Sequence, residues 1–279
     1  MRIDLGSGKQ KFNHCIGIDR IAYPDTDLVH DFNSPLPFED NSVEFVMASH
    51  SLQYADDLQS VLTELYRICR HKAMVCIVAP YAHVSSHMIN PQFKQRFNEH
   101  SPRFWTPSSQ TVIAKDEYLL SQNSTWSLLE EDALSIDFRV LRMEFFYFPA
   151  YQIGYDPFEL ALLRQTQLNV AYQIMYHLLV VKQPVSMREM LLYSETGQFD
   201  EPYYVKEQRL PPQKNEETQR LLFLDHMEPV VQYRDSLCPL PQQSEVESTH
   251  PNIRKQKNKR RGNLHKMHAH SPKEAKSYK

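Results

Sequence analysis

The sequence predicts an α/β protein: a mostly parallel sheet with helices on both faces and an antiparallel last strand. Three observations carry this expectation. Strand and helix signals alternate from the first residue. Two continuous apolar runs, Val43–Ser49 and Ala73–Ala79, flank an amphipathic stretch, as expected of strands buried on both faces of a parallel sheet. Two late strand candidates, Phe138–Phe148 and Tyr172–Lys182, are suited to pair antiparallel at the sheet edge.

Taken in order, Met1–Leu5 is a short strand, followed by a loop containing Gly6 and Gly8. Cys15–Asp19 is the second strand and Asp27–His30 a weak third, ending at Asp31. Val43–Ser49 is the fourth. Leu58, Val61, Leu62, Leu65, Ile68 and Cys69 then share one helical face within Asp57–Arg70, which Asp56 or Asp57 can cap. Ala73–Ala79 completes a right-handed strand–helix–strand crossover. Pro80–Pro107 is polar, aromatic and His-bearing, and reads as a functional loop. Pro157–Asn169 is helical, and Gln183–Pro184 closes the last strand. These elements define a domain over residues 1–185, with 80–107 as an acceptor-side insertion. Residues 186–241 form a polar, Pro-interrupted extension in which Thr218–Met227 is one amphipathic piece. Residues 242–279 cannot bury enough apolar surface to offset chain entropy and are expected to be disordered.

Composition narrows the function classes. Of 279 residues 41% are apolar, enough for a sizeable core. The net charge of −3 is unevenly placed: His250–Lys279 carries ten basic residues and one acid, +9, which leaves −12 on residues 1–249. An acidic body argues against a nucleic acid lying across the core, since phosphates need cationic partners. The run Arg254–Arg261 permits only weak contact of that kind through the tail, and it lacks the aromatics that stack on bases. Cys15, Cys69, Cys76 and Cys238 show neither metal spacing nor a disulfide framework, and no metal site is expected. No apolar run approaches the roughly 20 residues that span a bilayer, and no signal peptide opens the chain. The expected setting is cytoplasmic, with no membrane contact.

The glycine loop carries the chemistry. Asp4-Leu5-Gly6-Ser7-Gly8 joins two strands, and the second ends in Asp19, a carboxylate able to accept ribose hydroxyls. That arrangement is a nucleotide-cofactor site. A dinucleotide fold wants a third glycine three residues after Gly8; Lys9-Gln10-Lys11 supplies none, and a G-x-x-x-x-G-K-[ST] loop is absent.

What remains, acid-x-G-x-G, resembles the first motif of class I S-adenosylmethionine-dependent methyltransferases, a Rossmann-like family. Asp31–Glu44 (DFNSPLPFEDNSVE) is similar to the "D…PLPF.D.S.D" stretch of the small methyltransferase-domain members. Val46–Tyr54 is similar to their "V…SH.LEH" strand end, Glu64–Ile68 to "E..RVLKPGG", and Val78–Tyr81 to their "..VP.." strand exit. The ordered set covers residues 1 to about 81. A looser likeness, to a "P.H…F" segment, covers Pro91, Phe93, Arg96, Phe97 and Phe104–Trp105. The resemblance implies S-adenosyl-L-methionine as cofactor. It places Asp4, Gly6 and Gly8 at the methionine moiety, Asp19 at the ribose, Asp31 and Asn33 at the adenine, and Ser49 and His50 beside the reacting centre. His50, Tyr81 and His83 are the catalytic candidates, with Tyr54 and His87 as further acceptor contacts. Arg96 and Arg103 can clamp an anionic acceptor or pair with Glu99.

Methyl transfer from a sulfonium needs mainly orientation, and a base only where the acceptor must lose a proton. The expected function is methyl transfer to a small-molecule or glycan-like acceptor. The alternative is a non-catalytic methyltransferase-like scaffold, favoured by the absence of a helix before the first strand and by Arg70-His71-Lys72-Ala73 in place of a glycine turn. An RNA methyltransferase guided by the basic tail ranks third.

Overall fold

The computed structural model describes residues 1–114, 125–129 and 136–209. The chain divides into two units, Met1–Met227 and Glu228–Lys279, and every described residue lies in the first. The predicted amphipathic piece Thr218–Met227 and the basic tail fall outside the described residues.

Seven strands form one sheet: β1 (Arg2–Leu5), β2 (Ile16–Asp19), β3 (Leu28–Val29), β4 (Val43–Ser49), β5 (Cys69–Pro80), β6 (Phe138–Tyr147) and β7 (Ala171–Val180). Their order is β3-β2-β1-β4-β5-β7-β6. The first five run parallel, whereas β7 is antiparallel to both neighbours. The order reverses between β1 and β4, and open α/β sheets bind ligands at the carboxyl ends of the strands flanking such a reversal.

Side chains alternate between the two faces. On β4, Val46 and Ala48 join one apolar cluster and Phe45 and Met47 another; on β5, Val75, Ile77 and Ala79 oppose Cys76 and Val78. Helix α1 (Leu58–Ile68) covers the first face through Val61, Leu62, Leu65 and Ile68. Asp57, not Asp56, caps it, accepting from the Gln59 N–H at 3.0 Å. A short helix α2 (Ser85–Met88) and the capped α3 (Pro157–Thr166) lie in the loops after β5 and β6.

The second face is covered from an unexpected part of the chain. Residues read as a polar extension supply α4 (Met187–Thr196) and α5 (Tyr203–Gln208). Met190 packs with Leu141, Leu179 and Val181, and Val205 with Cys15, Phe45, Met47 and Cys76. No helix stands between β1 and β2, so Val205 fills space beside the short connection that ends at Cys15. The sequence did hold a signal for α4. Ser186 caps the Glu189 N–H at 3.2 Å, and Val185 and Met190 flank that cap as an apolar pair in one cluster.

The turn without glycine before the fifth strand is also accommodated. Arg70–Ala73 is absorbed into β5 as an irregularity opposite β4, and Lys72 itself takes φ +64°. Among the described residues no helix is long and apolar enough to cross a membrane.

Candidate active site

A cleft of about 300 Å³ opens at the carboxyl ends of β1, β2 and β4. Asp19, Asp31, Asn33, His50, Ser51 and Tyr54 line it, over a floor formed by Gly6 and Gly8. The sheet thus brings together seven of the residues expected from sequence: Gly6, Gly8, Asp19, Asp31, Asn33, His50 and Tyr54.

The glycine loop is shaped by backbone needs. Gly6 (φ +72°) and Gly8 (φ +60°) both lie in the left-handed region that side chains disfavour. A Cβ on Gly6 would overlap Ser51 Cβ, so the loop can lie on the β4 exit only with glycine there. Its amides are inwardly committed. The N–H groups of Gly6 and Ser7 donate to Ile18 O at 2.8 and 3.0 Å, and that of Gly8 to Asp19 Oδ2 at 2.9 Å.

Asp19 holds both the loop and the cleft wall. Oδ2 accepts from Gly8 and Oδ1 from the Ile21 N–H at 2.9 Å, leaving each oxygen a further lone pair. Asp31 accepts the Asn33 N–H and side-chain amide, both at 2.9 Å, and Asn33 Oδ1 accepts the Asp56 N–H at 2.8 Å, tying this loop to the approach to α1. Neither Asp19 nor Asp31 has an ion-pair partner among the described residues.

His50 sits at φ +51° directly after β4, a strained turn that places its ring at the cleft. Its Nε2 meets Gln173 Oε1 at 2.9 Å. The Gln173 amide is oriented in turn by donating from Nε2 to Gln208 Oε1 of α5 at 3.0 Å. An amide oxygen only accepts, so His50 carries its proton on Nε2 and presents Nδ1 as the lone-pair nitrogen. Burial lowers the His50 pKa below the ordinary histidine value, favouring the neutral ring. Ser51 is 3% exposed at the cleft, and its Oγ has no hydrogen-bond partner among the described residues. Such an orphan is costly unless a ligand satisfies it.

Other predicted residues sit elsewhere. Asp4 lies behind the loop, 4% exposed, and its Oδ2 accepts the Phe12 N–H at 2.7 Å. Burial pushes its pKa up to about 6, helped by the nearby Asp19 charge and opposed by that hydrogen bond. Ser49 turns to the α5 side, 2.7 Å from the Tyr204 hydroxyl. Tyr81 is fully buried and donates to Glu99 Oε2 at 2.7 Å; burial and that carboxylate drive its pKa far upward. His83 holds Arg164 O at 3.0 Å and lines a second cavity. His87 Nδ1 is on Tyr81 O at 3.0 Å. Glu99 pairs with neither predicted arginine: it lies beside Arg164, 3.9 Å away, while Arg103 donates to Trp126 O, Thr125 O and His100 Nδ1. Sequence reading missed Gln173, Gln208 and Tyr204. Gln173 alone left a trace, as a polar residue inside an apolar strand.

The cleft is acceptor-rich. Carboxylates at the tips of β2 and just beyond β3 suit hydroxyl and amino donors and a cationic ligand, as a nucleoside sulfonium would present, and the Ser51 orphan faces the same space.

Residues 10–77 match the family model described as a methyltransferase domain. No curated protein matches the chain. Solved structures similar to it include a SAM-dependent methyltransferase from Archaeoglobus fulgidus (16% identity over 64% of this chain and 85% of that one, TM-score 0.43). A SAM-dependent methyltransferase from Aquifex aeolicus is 13% identical over 64% of this chain and 81% of that one, with TM-score 0.35. The complex of the Haloferax volcanii Trm112 methyltransferase activator with a methyltransferase is matched at 17% identity over 66% of this chain and 83% of that one, with TM-score 0.34. Over residues 10–77, set in a sheet ordered β3-β2-β1-β4-β5-β7-β6, the chain is similar to the methyltransferase-domain family.

Proposed function

We propose that the chain transfers a methyl group from S-adenosylmethionine to a small-molecule or glycan-like acceptor. The observation that carries this reading is the pair of carboxylates Asp19 and Asp31, without salt-bridge partners among the described residues, flanking a glycine floor opposite a neutral His50. Asp19 would accept the ribose hydroxyls on its spare lone pairs, and Asp31 with Asn33 would hold the adenine amino group. Gly6 and Gly8 keep the floor free of side chains. When bound, the cofactor supplies the activated methyl group. His50 Nδ1 takes the proton that a neutral nucleophile sheds as it is alkylated, and Gln173 holds the ring so that this nitrogen is available. Tyr54 and Ser51 line the same cleft and would face the acceptor. Free buried thiols at Cys15, Cys69 and Cys76 support a reducing, cytoplasmic setting.

Calorimetry with S-adenosylmethionine tests the reading. The parent binds and Asp19→Ala loses about 1–3 kcal/mol of affinity, the cost of a lost charge-assisted pair of hydrogen bonds. Absence of binding at millimolar cofactor would establish the alternative, a non-catalytic scaffold, which the helix-free β1–β2 connection favours.

A further inference from the structure

A second cavity lies beside the cleft, and its chemistry is the reverse. It measures about 530 Å³, within the range that holds small organic molecules. Met88, Phe104 and Trp105 give it apolar walls, and His83, Arg96 and His100 bring nitrogen. No carboxylate lines it among the described residues, although residues 1–249 carry −12, from a chain total of −3 and +9 on His250–Lys279.

Arg96 lines this cavity without a counter-ion among the described residues. Arg2, Arg67, Arg139 and Arg209 each pair with a carboxylate. Arg96 has no such partner among the described residues; one N–H donates to Met88 O at 3.0 Å and the rest of the fork is unspent. Nearby carboxylates are committed elsewhere, Glu99 to the Tyr81 hydroxyl at 2.7 Å and Asp56 to Lys94. His100 receives the Arg103 N–H on Nδ1 at 3.4 Å, which leaves Nε2–H as a second donor.

One short segment, residues 92–96, contributes a wall residue to each cavity. Gln92 lines the cleft and Arg96 the second cavity. Four residues span at most about 14 Å. That segment is held in place: the Lys94 and Gln95 N–H groups donate to Gln53 O at 2.8 and 3.1 Å, and Gln95 Nε2 donates to Ala55 O at 2.9 Å.

We infer that this cavity binds an organic carboxylate with an apolar or aromatic body, and that it is the acceptor side of the cleft. Arg96 and His100 hold the carboxylate, and Trp105, Phe104 and Met88 hold the body. The acceptor role rests on the cofactor reading above; the carboxylate site does not.

The test uses the full chain and two probes of similar size, phenylacetate and the neutral 2-phenylethanol. Binding is followed on the imidazole resonances of His83 and His100, assigned with His83→Asn and His100→Asn. Phenylacetate shifts both signals to saturation, and Arg96→Gln weakens it at least about tenfold, or 1.4 kcal/mol. Arg96→Lys restores part of the loss, because it keeps the charge without the fork. 2-Phenylethanol binds weakly and is indifferent to residue 96. Equal response to both probes, or to neither, overturns the site. For the acceptor role, the protein is incubated with methyl-labelled S-adenosylmethionine and a mixture of neutral and acid-bearing small molecules. Label in acids, lost in Arg96→Gln while cofactor affinity is kept, supports the role, and label in neutral compounds alone overturns it. Failure of the cofactor to bind overturns the proposed function and with it the acceptor role, while the carboxylate result stands.

Discussion

His50 owes the position of its ring proton to a glutamine 123 residues away in sequence. Gln173 is 2% exposed, and its amide is set by Gln208, so the proton position on the imidazole is decided by a helix outside the cleft. Gln173→Leu should lower kcat about tenfold while leaving cofactor affinity at the parental value. The acid limb of kcat/KM for the parent should fall below the usual histidine value of about 6.5, because burial lowers the His50 pKa. Loss of the Gln173 contact, which raises that pKa, should move the limb lower still. A merely structural role for Gln173 would change Tm and leave the limb in place. Asp4 gives a second residue-scale expectation, with the opposite sign to an ordinary carboxylate. Its folded pKa of about 6 exceeds the ordinary aspartate value of about 3.8, so ionisation destabilises the fold. That penalty is fully present above about pH 6 and is relieved as pH falls towards 4. Asp4→Asn, which keeps an acceptor for the Phe12 N–H, should stabilise the protein at pH 8 by on the order of 2 kcal/mol. It should also flatten Tm against pH between 4 and 7.

At the scale of elements, the two loop glycines look equivalent in sequence and are not. Both have positive φ, yet a Cβ at Gly8 meets nothing within 4 Å while one at Gly6 meets Ser51. Gly8→Ala should cost about 1 kcal/mol, the conformational term alone. Gly6→Ala should cost about 2–4 kcal/mol, because overpacking against the β4 exit adds to that term. Urea denaturation of both variants checks the difference. Cofactor calorimetry of Gly6→Ala should show a loss that Gly8→Ala shares only in part, since only the first moves the loop against Ser51.

For the whole molecule, the second face of the sheet depends on chain that follows the last strand. Met190 and Val205 are buried against β4, β5, β6 and β7 residues, and Arg209 fastens the end of α5 to Glu144 and Glu201. A chain ending at Val185 would lose that cover and expose Phe45, Met47, Val78 and Met175. It should be insoluble or melt well below the parent, since each buried Val or Met side chain contributes roughly 1.5–3 kcal/mol. A soluble, cooperatively folding 1–185 fragment would show that the sheet domain is complete without α4 and α5.

The sheet was legible in the sequence because its strands are short apolar runs whose type follows from local pattern. β4 falls where the run predicts, and α1 follows from five apolar residues on one face and an aspartate at its start. The cleft was legible in part for the same reason, since Asp19, Asp31 and His50 end or follow recognisable strands. What sequence could not reveal depends on registry between distant segments. The β7 pairing places Gln173 beside His50, α5 lies across β4, and packing buries Tyr81 against Glu99 instead of presenting it to the cleft. A periodic pattern states which face of an element is apolar; which other element covers that face is settled only when all of them compete for the same buried surface.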